Sequence, residues 1–315
     1  MAKLLPLIDE MLSGESPSVR LFKRAAVGFP FSRLTLDVIE ERFVRGEVWP
    51  FMVSVLDGGS RIPAHRYTVN RRRQAFVQEE TIDPDRLLQL LASGASLSMH
   101  NCDQWIPELA GITNDIRQVL GRPAMAGLFL SPPGASGLPC HTDVPDVFAV
   151  QLDGTKTWTV YERPPGPPRQ RVVAEGELPK TVLNVTLEPG DVLYVPAGSP
   201  HIATAGPVSL HVSIGVRAPT LAEALIACLE QSDAVPEILR RPVDPRPGAA
   251  GPREVLAEAM AELAKAPATA TWHSLLESRR GRDLAFWETG TFRQLTGPAA
   301  DDRPPKPGDC PSEGR

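Results

Sequence analysis

The sequence has no long apolar run and no excess of positive charge, and these absences exclude several classes of protein. No stretch of its 315 residues approaches the roughly 20 apolar residues that a membrane-spanning helix needs. The net charge is −5, so the chain as a whole has no basic field that would attract nucleic acid. With 42% apolar residues, the chain is long enough for one large domain or two ordinary domains.

Cysteine is also scarce. The four cysteines are far apart and form no C-x-x-C pair; they are Cys102, Cys140, Cys228 and Cys310. This spacing argues against a disulfide framework or a thiolate zinc site and favours a reducing compartment. Because the first residues include Asp9 and Glu10 and lack an apolar segment, we expect no signal peptide and a cytoplasmic location.

Residues 1–123 are predicted to form helices and short strands that support a core domain. Apolar spacing predicts helices over Leu4–Leu12, 34–45 and 105–120, and short strands between Met52 and Val77. A further helix is predicted to begin with Asp83 as its N-cap and Pro84 at its first position. Gly121 is the predicted end of the last helix.

From residue 124 to residue 217, short apolar strands alternate with Gly/Pro turns. The predicted strands cover residues 124–131, 146–152, 157–161, 181–187, 191–195, 201–205 and 208–217. Such a series is typical of an all-β sandwich or barrel. We therefore expect a mainly β fold with flanking helices, in which residues 124–217 form the core.

After Arg217 the strand pattern stops. Helices are predicted at 219–232, 252–266 and 271–289, within a helical C-terminal region that spans residues 218–296. Residues 297–315 are rich in proline, glycine and charge, and this composition predicts a disordered tail.

His141-Thr142-Asp143, with His201 farther along the chain, is the pattern with the most chemical content. Side chains i and i+2 of a strand point the same way, so His141 and Asp143 can reach one ion. Two imidazoles and one carboxylate form the facial triad that holds Fe(II) and leaves other positions open. The same ligands also suit catalytic zinc. H-x-D alone is frequent by chance, but the motif P-G-D-V-L-Y-V-P-x-G-x-P-H that ends at His201 favours a metal site.

Lys156 begins a strand directly after an Asp-Gly turn. One interpretation is an ordinary exposed lysine that follows a hairpin turn. The other is a cation inside the barrel, which is costly unless it is paired. Because a dicarboxylate cosubstrate would pair such a cation, the second interpretation favours iron over zinc.

These residues lie in segments that resemble a known family. The stretch Ser131–Trp158 strongly resembles JmjC-type 2-oxoglutarate oxygenases, in particular the ribosomal oxygenases, which are cupin-like protein hydroxylases. The segments Leu187–His201 and Ser209–Val216 resemble the same branch, and weaker similarity reaches back to about Phe22. The resemblance implies a double-stranded β-helix, or jelly roll, over residues 124–217.

The resemblance also implies roles for single residues. Fe(II) would be bound by His141, Asp143 and His201. The cosubstrate would be 2-oxoglutarate, with Lys156 paired to its distal carboxylate. Three further residues occupy places that often line the cosubstrate pocket in the family: Ser131, His211 and Ser213.

The chain departs from the family pattern in three places. Gly127 stands where several relatives have asparagine, and Phe129 stands where they have a tyrosine that helps to hold the cosubstrate. The loss of a hydroxyl donor removes about 1 kcal/mol of net binding, so weaker cosubstrate binding is expected. In the C-terminal region, residues 218–296 supply helices that would suit the family's dimerisation region, but no winged helix is evident.

The activity that the resemblance implies is hydroxylation of a protein or peptide side chain, with a ribosomal protein as candidate substrate and dioxygen as co-reactant. One alternative is a hydroxylase of a small molecule or a peptide natural product. Another is a non-catalytic metal-binding cupin that acts as a sensor or scaffold. The complete ligand set and Lys156 argue against the last alternative. No membrane or nucleic-acid partner is indicated.

Several other polar or aromatic side chains could contact a substrate, but their positions in the sequence favour surface or packing roles. Arg71–Arg73 read as an exposed strand edge rather than a contact to RNA or an acidic peptide. We expect His65 and His100 to be surface histidines, and we expect Trp158 and Tyr161 to pack in the barrel wall. In the C-terminal region, Trp272, His273 and Trp287 read as core or dimer packing.

Overall fold

The computed structural model describes residues 4–13, 17–74, 77–218 and 220, together with residues 257 and 261. The helices and strands below lie in the first of two compact units, residues 1–230. The predicted C-terminal helices and tail fall outside the described residues apart from the three isolated positions, as do five named side chains: Cys228, Trp272, His273, Trp287 and Cys310. No helix within the described ranges is long and apolar enough to cross a membrane.

Four α-helices form in the described part of the chain. They are α1 (Leu4–Leu12), α2 (Leu36–Val44), α3 (Pro84–Ala92) and α4 (Pro107–Leu120). The Asp83 carboxylate accepts a hydrogen bond from the backbone N–H of Arg86 at 3.0 Å, which confirms the predicted cap of α3. Gly121 ends α4 in the left-handed region, with φ 62°, where a residue with a side chain would be strained.

The strands follow the predicted alternation of apolar segments and turns. They are β1 (Arg20–Phe22), β2 (Val53–Asp57), β3 (Ser60–Ile62), β4 (Thr68–Gln74), β5 (Val77–Ile82), β6 (Ser96–Met99), β7 (Ala124–Ser131), β8 (His141–Thr142), β9 (Asp146–Asp153), β10 (Lys156–Tyr161), β11 (Arg171–Val172), β12 (Thr181–Leu187), β13 (Val192–Val195), β14 (His201–Ala205) and β15 (Ser209–Val216). Every strand predicted after residue 124 appears with bounds within one residue of the prediction. The sequence did not predict β8 and β11, because two residues are too few to show a pattern.

The strands build two facing sheets and a separate hairpin. The large sheet has the order β1-β13-β9-β15-β7-β6-β2-β3, and the smaller sheet has the order β11-β8-β14-β10-β12. The hairpin consists of β4 and β5. Neighbouring strands in both sheets pair antiparallel. This two-sheet arrangement is the one expected of a jelly roll, and it confirms the prediction of a mainly β fold with flanking helices.

The large sheet is buried on both faces, and its inner face is the one that meets the smaller sheet. Along β9, Val147 and Ala149 pack with Trp158 of the smaller sheet. The residues between them, Phe148 and Val150, pack into the main core, which also contains side chains of α1 and α4. Because successive strand residues point to opposite faces, β9 contributes to both cores.

A buried ion pair joins α4 to the large sheet. Nη2 of Arg117 donates to Oδ2 of Asp103 at 2.6 Å, and both side chains are almost fully buried. The second carboxylate oxygen of Asp103 accepts from the backbone N–H of Ala126 in β7 at 3.0 Å. The pair therefore fixes α4 against the strand that opens the core domain. No local pattern in the sequence relates positions 103 and 117, so the pair was not predicted.

A second buried carboxylate ties β1 to the turn before β13. Asp191 accepts hydrogen bonds from Nζ of Lys23 at 2.8 Å, from the backbone N–H of Arg24 at 3.0 Å and from that of Glu188 at 2.9 Å. Burial by itself would raise the pKa of Asp191, but these hydrogen bonds and the Lys23 charge hold it below its ordinary value. The aspartate of the P-G-D motif thus has a structural role, because it joins β1 to the turn before β13.

Candidate metal centre

The three predicted metal ligands meet at one edge of the smaller sheet. His141 begins β8, Asp143 follows it directly, and His201 begins the neighbouring β14, where it pairs with His141. Oδ2 of Asp143 lies 3.7 Å from Nε2 of His141 and 3.6 Å from Nε2 of His201. One ligand atom from each residue lies within 4.8 Å of the other two. The strand order thus brings together residues that are far apart in the chain.

Backbone carbonyl groups fix both imidazoles in the form that binds a metal. Nδ1 of His141 lies 2.9 Å from the carbonyl oxygen of Pro139, and Nδ1 of His201 lies 3.0 Å from that of Ser199. Because a carbonyl oxygen only accepts, each Nδ1 carries a proton, so that in the neutral ring Nε2 is the nitrogen with the free lone pair. Both lone pairs belong to the nitrogens nearest Asp143. The donor set therefore fits a divalent ion with nitrogen and oxygen ligands.

The site is closed on one side and open on the other. The side chain of His201 is 5% exposed, whereas those of His141 and Asp143 are 18% and 24% exposed. Burial and the neighbouring His141 lower the pKa of His201, against the opposing effect of Asp143. The neutral imidazole that this favours is the form that binds a metal. Solvent and ligands reach the site from the side of Asp143.

The turn that precedes His201 is held against the strand that follows Asp143. The carboxylate of Asp146 accepts from the hydroxyl of Tyr194 at 2.8 Å and from the backbone N–H of Ala197 at 3.1 Å. The backbone N–H of Gly198 donates to the carbonyl oxygen of Asp143 at 2.8 Å. These bonds set the position of His201 relative to the other two ligands. Sequence reasoning missed the role of Asp146, because its partners lie about fifty residues away.

Lys156 lies inside the barrel and not at its surface. Only 3% of the residue is exposed, and Nζ donates to Oγ of Ser131 across the two sheets at 2.9 Å. Burial lowers the pKa of Lys156 to about 8. Among the described residues, no carboxylate forms an ion pair with it. The interpretation of Lys156 as an exposed lysine is therefore wrong, because the Asp-Gly turn directs β10 so that its first side chain points inward.

An aromatic group, formed by Phe129, His211 and Trp158, extends from the surroundings of Lys156 to the ring of His201. The ring of His211 stacks on Phe129 with a centroid distance of 5.0 Å and meets the edge of Trp158 at 5.6 Å. Trp158 in turn lies 5.8 Å from the ring of His201. Burial and the Lys156 charge hold the pKa of His211 well below its ordinary value, so the ring is neutral.

Two buried nitrogens of this group have no hydrogen-bond partner in the described part of the chain: Nδ1 of His211 and Nε1 of Trp158. Buried polar atoms are nearly always paired, so such atoms call for an explanation. A polar molecule bound in the barrel interior would provide partners for them. These two atoms, together with the remaining N–H groups of Lys156, fit the oxygens of a carboxylate-containing ligand.

The other predicted pocket residues lie on the inner face of the large sheet. Ser131 contacts Lys156 directly, as described above. Ser213 pairs in register with Gly127 between β15 and β7, but no hydrogen bond links it to Lys156 within the ranges described. A Cβ atom at Gly127 would lie 3.2 Å from the carbonyl oxygen of Met99. An asparagine at this position would therefore require the Met99 carbonyl group to move by a few tenths of an ångström.

The remaining polar candidates lie apart from the metal centre. Nε2 of His100 bonds to Oγ of Ser54 at 2.7 Å, and His65 is exposed. Arg71 is exposed on the β4–β5 hairpin, as expected of a strand edge. Trp158 packs in the barrel wall as predicted, whereas Tyr161 is half-buried beside a β-bulge.

Comparison with known proteins shows which family this chain is similar to. The model of the JmjC domain matches residues 100–224, which include the three candidate metal ligands and Lys156. Ribosomal oxygenase 1 of Rattus norvegicus is 29% identical over 174 residues, which cover 53% of this chain and 29% of that protein. The bifunctional lysine-specific demethylase and histidyl-hydroxylase NO66 of Drosophila melanogaster is 26% identical over 182 residues, covering 56% of this chain and 27% of that protein.

A solved structure shares the fold. It is YcfD, a ribosomal oxygenase from Escherichia coli, in complex with cobalt and 2-oxoglutarate. It matches with a TM-score of 0.51 and 22% identity, over 82% of this chain and 67% of that chain. The present chain spans less than a third of the length of the two curated relatives. These likenesses confirm the predicted resemblance to JmjC-type ribosomal oxygenases.

Proposed function

We propose that this chain is a dioxygenase that uses Fe(II) and 2-oxoglutarate to hydroxylate a protein side chain. The observation that carries the proposal is that one barrel contains both a three-ligand site and a buried cation. Among the described residues, this cation has no carboxylate partner. His141, Asp143 and His201 suit an iron ion that keeps open positions. Lys156 suits the distal carboxylate of the cosubstrate. The JmjC domain match and the cobalt and 2-oxoglutarate complex of YcfD support the same assignment.

When bound, iron, 2-oxoglutarate and dioxygen together supply the oxidising chemistry, in which the cosubstrate becomes succinate and carbon dioxide and a substrate C–H bond becomes C–OH. The residues of the chain contribute position, charge and exclusion of water. The carbonyl groups of Pro139 and Ser199 hold the two imidazoles so that Nε2 faces the ion. Lys156 neutralises the distal carboxylate in a dry interior, where an unpaired charge is costly. In this proposal Ser131, His211 and Ser213 complete the lining of the cosubstrate pocket.

The open side of the site suits a substrate that approaches from solvent. His141 and Asp143 are partly exposed there, so a side chain of another protein can come close to the ion. The relatives are named ribosomal oxygenase and histidyl-hydroxylase, and these names support a protein substrate. We therefore take a ribosomal protein as the first candidate, with a small molecule or peptide natural product as the alternative outcome.

The proposal is tested by succinate formation. The full chain, supplied with Fe(II), 2-oxoglutarate and dioxygen, is expected to form succinate and to retain iron, whereas His141→Ala is expected to do neither. His65→Ala is a matched control, because His65 is exposed and contacts none of the three ligands in the described structure. A wild-type protein that forms no succinate would overturn the proposal, and if that protein still retained iron, the result would favour the non-catalytic metal-binding scaffold.

The substrate class is tested separately. Mass spectrometry of cell extracts incubated with the active enzyme and with His141→Ala is expected to reveal a protein that gains one oxygen atom only with the active enzyme. An added oxygen found only in the small-molecule fraction would replace the protein substrate with the alternative.

Three further features remain predictions from the sequence. They are a cytoplasmic location, a homodimer formed through residues 218–296, and the division of the chain at residues 123, 217 and 296.

A further inference from the structure

A row of polar side chains crosses the inner face of the large sheet beside Lys156. Between β6 and β7, Leu97 pairs with Leu130, so the next pair in this antiparallel register is Ser96 with Ser131. Oγ of Ser96 donates to Oγ of Ser131 at 3.1 Å, and both residues are at most 2% exposed. Two serines from neighbouring strands are thus joined in the buried interior of the barrel.

The hydrogen bonds of Ser131 leave one proton without an acceptor. A serine hydroxyl has two acceptor lone pairs and one O–H. The oxygen of Ser131 accepts from Nζ of Lys156, which can only donate, and also from Oγ of Ser96. Both lone pairs are therefore occupied. Because the Ser96 proton points at Ser131, Ser96 cannot accept the Ser131 proton at the same time, and no other hydrogen bond donated by Ser131 is found in the part of the chain that the structure describes. This proton is available to a ligand oxygen beside Lys156.

We propose that Ser96 is a positioning residue of the cosubstrate site: by donating to Ser131, it directs the Ser131 proton toward the distal carboxylate of 2-oxoglutarate. The inference rests on the proposed function. It gives the carboxylate two adjacent donors, Nζ of Lys156 and Oγ of Ser131. It also supplies a hydroxyl donor to a pocket in which Phe129 supplies none.

The surroundings of Ser96 hold its hydroxyl in one place. The loop between β7 and β8 passes directly over it, so that a Cβ atom at Gly137 would lie 3.0 Å from both Cβ and Oγ of Ser96. The carbonyl oxygen of Gly137 accepts from the backbone N–H of Gly59 at 3.0 Å, which ties this loop to the β2–β3 turn. Without the hydroxyl at position 96, Ser131 regains a free lone pair and its proton is no longer directed.

The test compares Ser96→Ala with Ser98→Ala. Ser98 lies on the same strand and the same face and is 3% exposed, but no hydrogen bond joins it to Ser131 in the described structure. Binding to the Mn(II)-loaded full chain is measured by calorimetry for 2-oxoglutarate and for 2-oxobutyrate, which lacks the distal carboxylate. Ser96→Ala is expected to raise the Kd for 2-oxoglutarate about fivefold, the effect of one net hydrogen bond, and to leave the Kd for 2-oxobutyrate unchanged. Ser98→Ala is expected to change neither.

A double-mutant cycle tests whether Ser96 acts through Ser131. In a Ser131→Ala background, Ser96→Ala is expected to have no further effect on 2-oxoglutarate binding. Additive effects, equal loss of both ligands, or a Ser96→Ala protein that binds 2-oxoglutarate as the wild type does would each overturn the inference. Retained 2-oxobutyrate binding reports a folded site. A wild-type protein that holds Mn(II) but binds no 2-oxoglutarate would instead refute the proposed function.

Discussion

Replacement of Lys156 by methionine separates stability from cosubstrate binding. The lysine lies in the buried interior without a carboxylate partner among the described residues, so its charge destabilises the folded state. A fall of its pKa from the ordinary 10.5 to about 8 corresponds to about 3 kcal/mol in the free energy of unfolding. The lost hydrogen bond to Ser131 offsets about 1 kcal/mol of that gain. We expect Lys156→Met to be about 2 kcal/mol more stable than the wild type at pH 7.

The pH dependence of this difference follows from the sign of the pKa shift. Between about pH 8 and pH 10.5 the unfolded lysine holds its proton while the folded one has lost it. The unfolded state then binds more protons, so wild-type stability rises with pH through that window. The destabilisation by Lys156 is therefore fully present below about pH 8 and fades above it. The advantage of Lys156→Met should shrink as the pH is raised from 7 to 10.

The assay is urea unfolding of the full chain at several pH values, with and without Mn(II) and 2-oxoglutarate. Lys180→Met is the control, because Lys180 is exposed and its replacement should change stability little. The cosubstrate is expected to stabilise the wild type but not Lys156→Met, because binding to the folded state alone adds stability. A Lys156→Met protein that is less stable than the wild type at pH 7 would refute the reasoning, since Lys156 would then be a paired cation.

Three other predictions concern buried charges and the metal. Asp103→Ala removes the carboxylate that pairs with the buried Arg117, and we expect the free energy of unfolding in urea to fall by about 3–5 kcal/mol. A fall of less than about 1 kcal/mol would contradict the stabilising role of this ion pair. Asp191 has a lowered pKa, so its stabilisation is present above about pH 4 and is lost as the pH falls through its folded value. The stability difference between the wild type and Asp191→Asn should therefore become smaller in acid. A difference that does not vary between pH 3 and pH 7 would contradict the stabilising role of the Asp191 carboxylate. His201→Ala is expected to abolish retention of Fe(II), measured by metal analysis after gel filtration, whereas His65→Ala retains it.

The local parts of the fold could be predicted from the sequence. Seven strands between residues 124 and 217 were predicted within one residue, because apolar segments separated by Gly/Pro turns leave few alternatives. The caps at Asp83 and Gly121 were also predicted, because capping depends on residues within a single turn. The three metal ligands were found because H-x-D and the motif before His201 are continuous in the chain.

The sequence by itself thus determined the strands, the caps and the identity of the ligands. The tertiary structure decided what depends on strand order: the approach of His201 to His141, the burial of Lys156, and the contact of Ser96 with Ser131. The same holds for the buried pair of Asp103 and Arg117. Local propensity acts over a few residues, whereas these contacts join residues on different strands or helices. Only the pairing of the strands and the packing of the sheets bring such residues together. Local patterns therefore could not predict the Ser96–Ser131 contact or the Asp103–Arg117 pair, whereas the family resemblance had already implied the joint site of His141 and His201 and the role of Lys156.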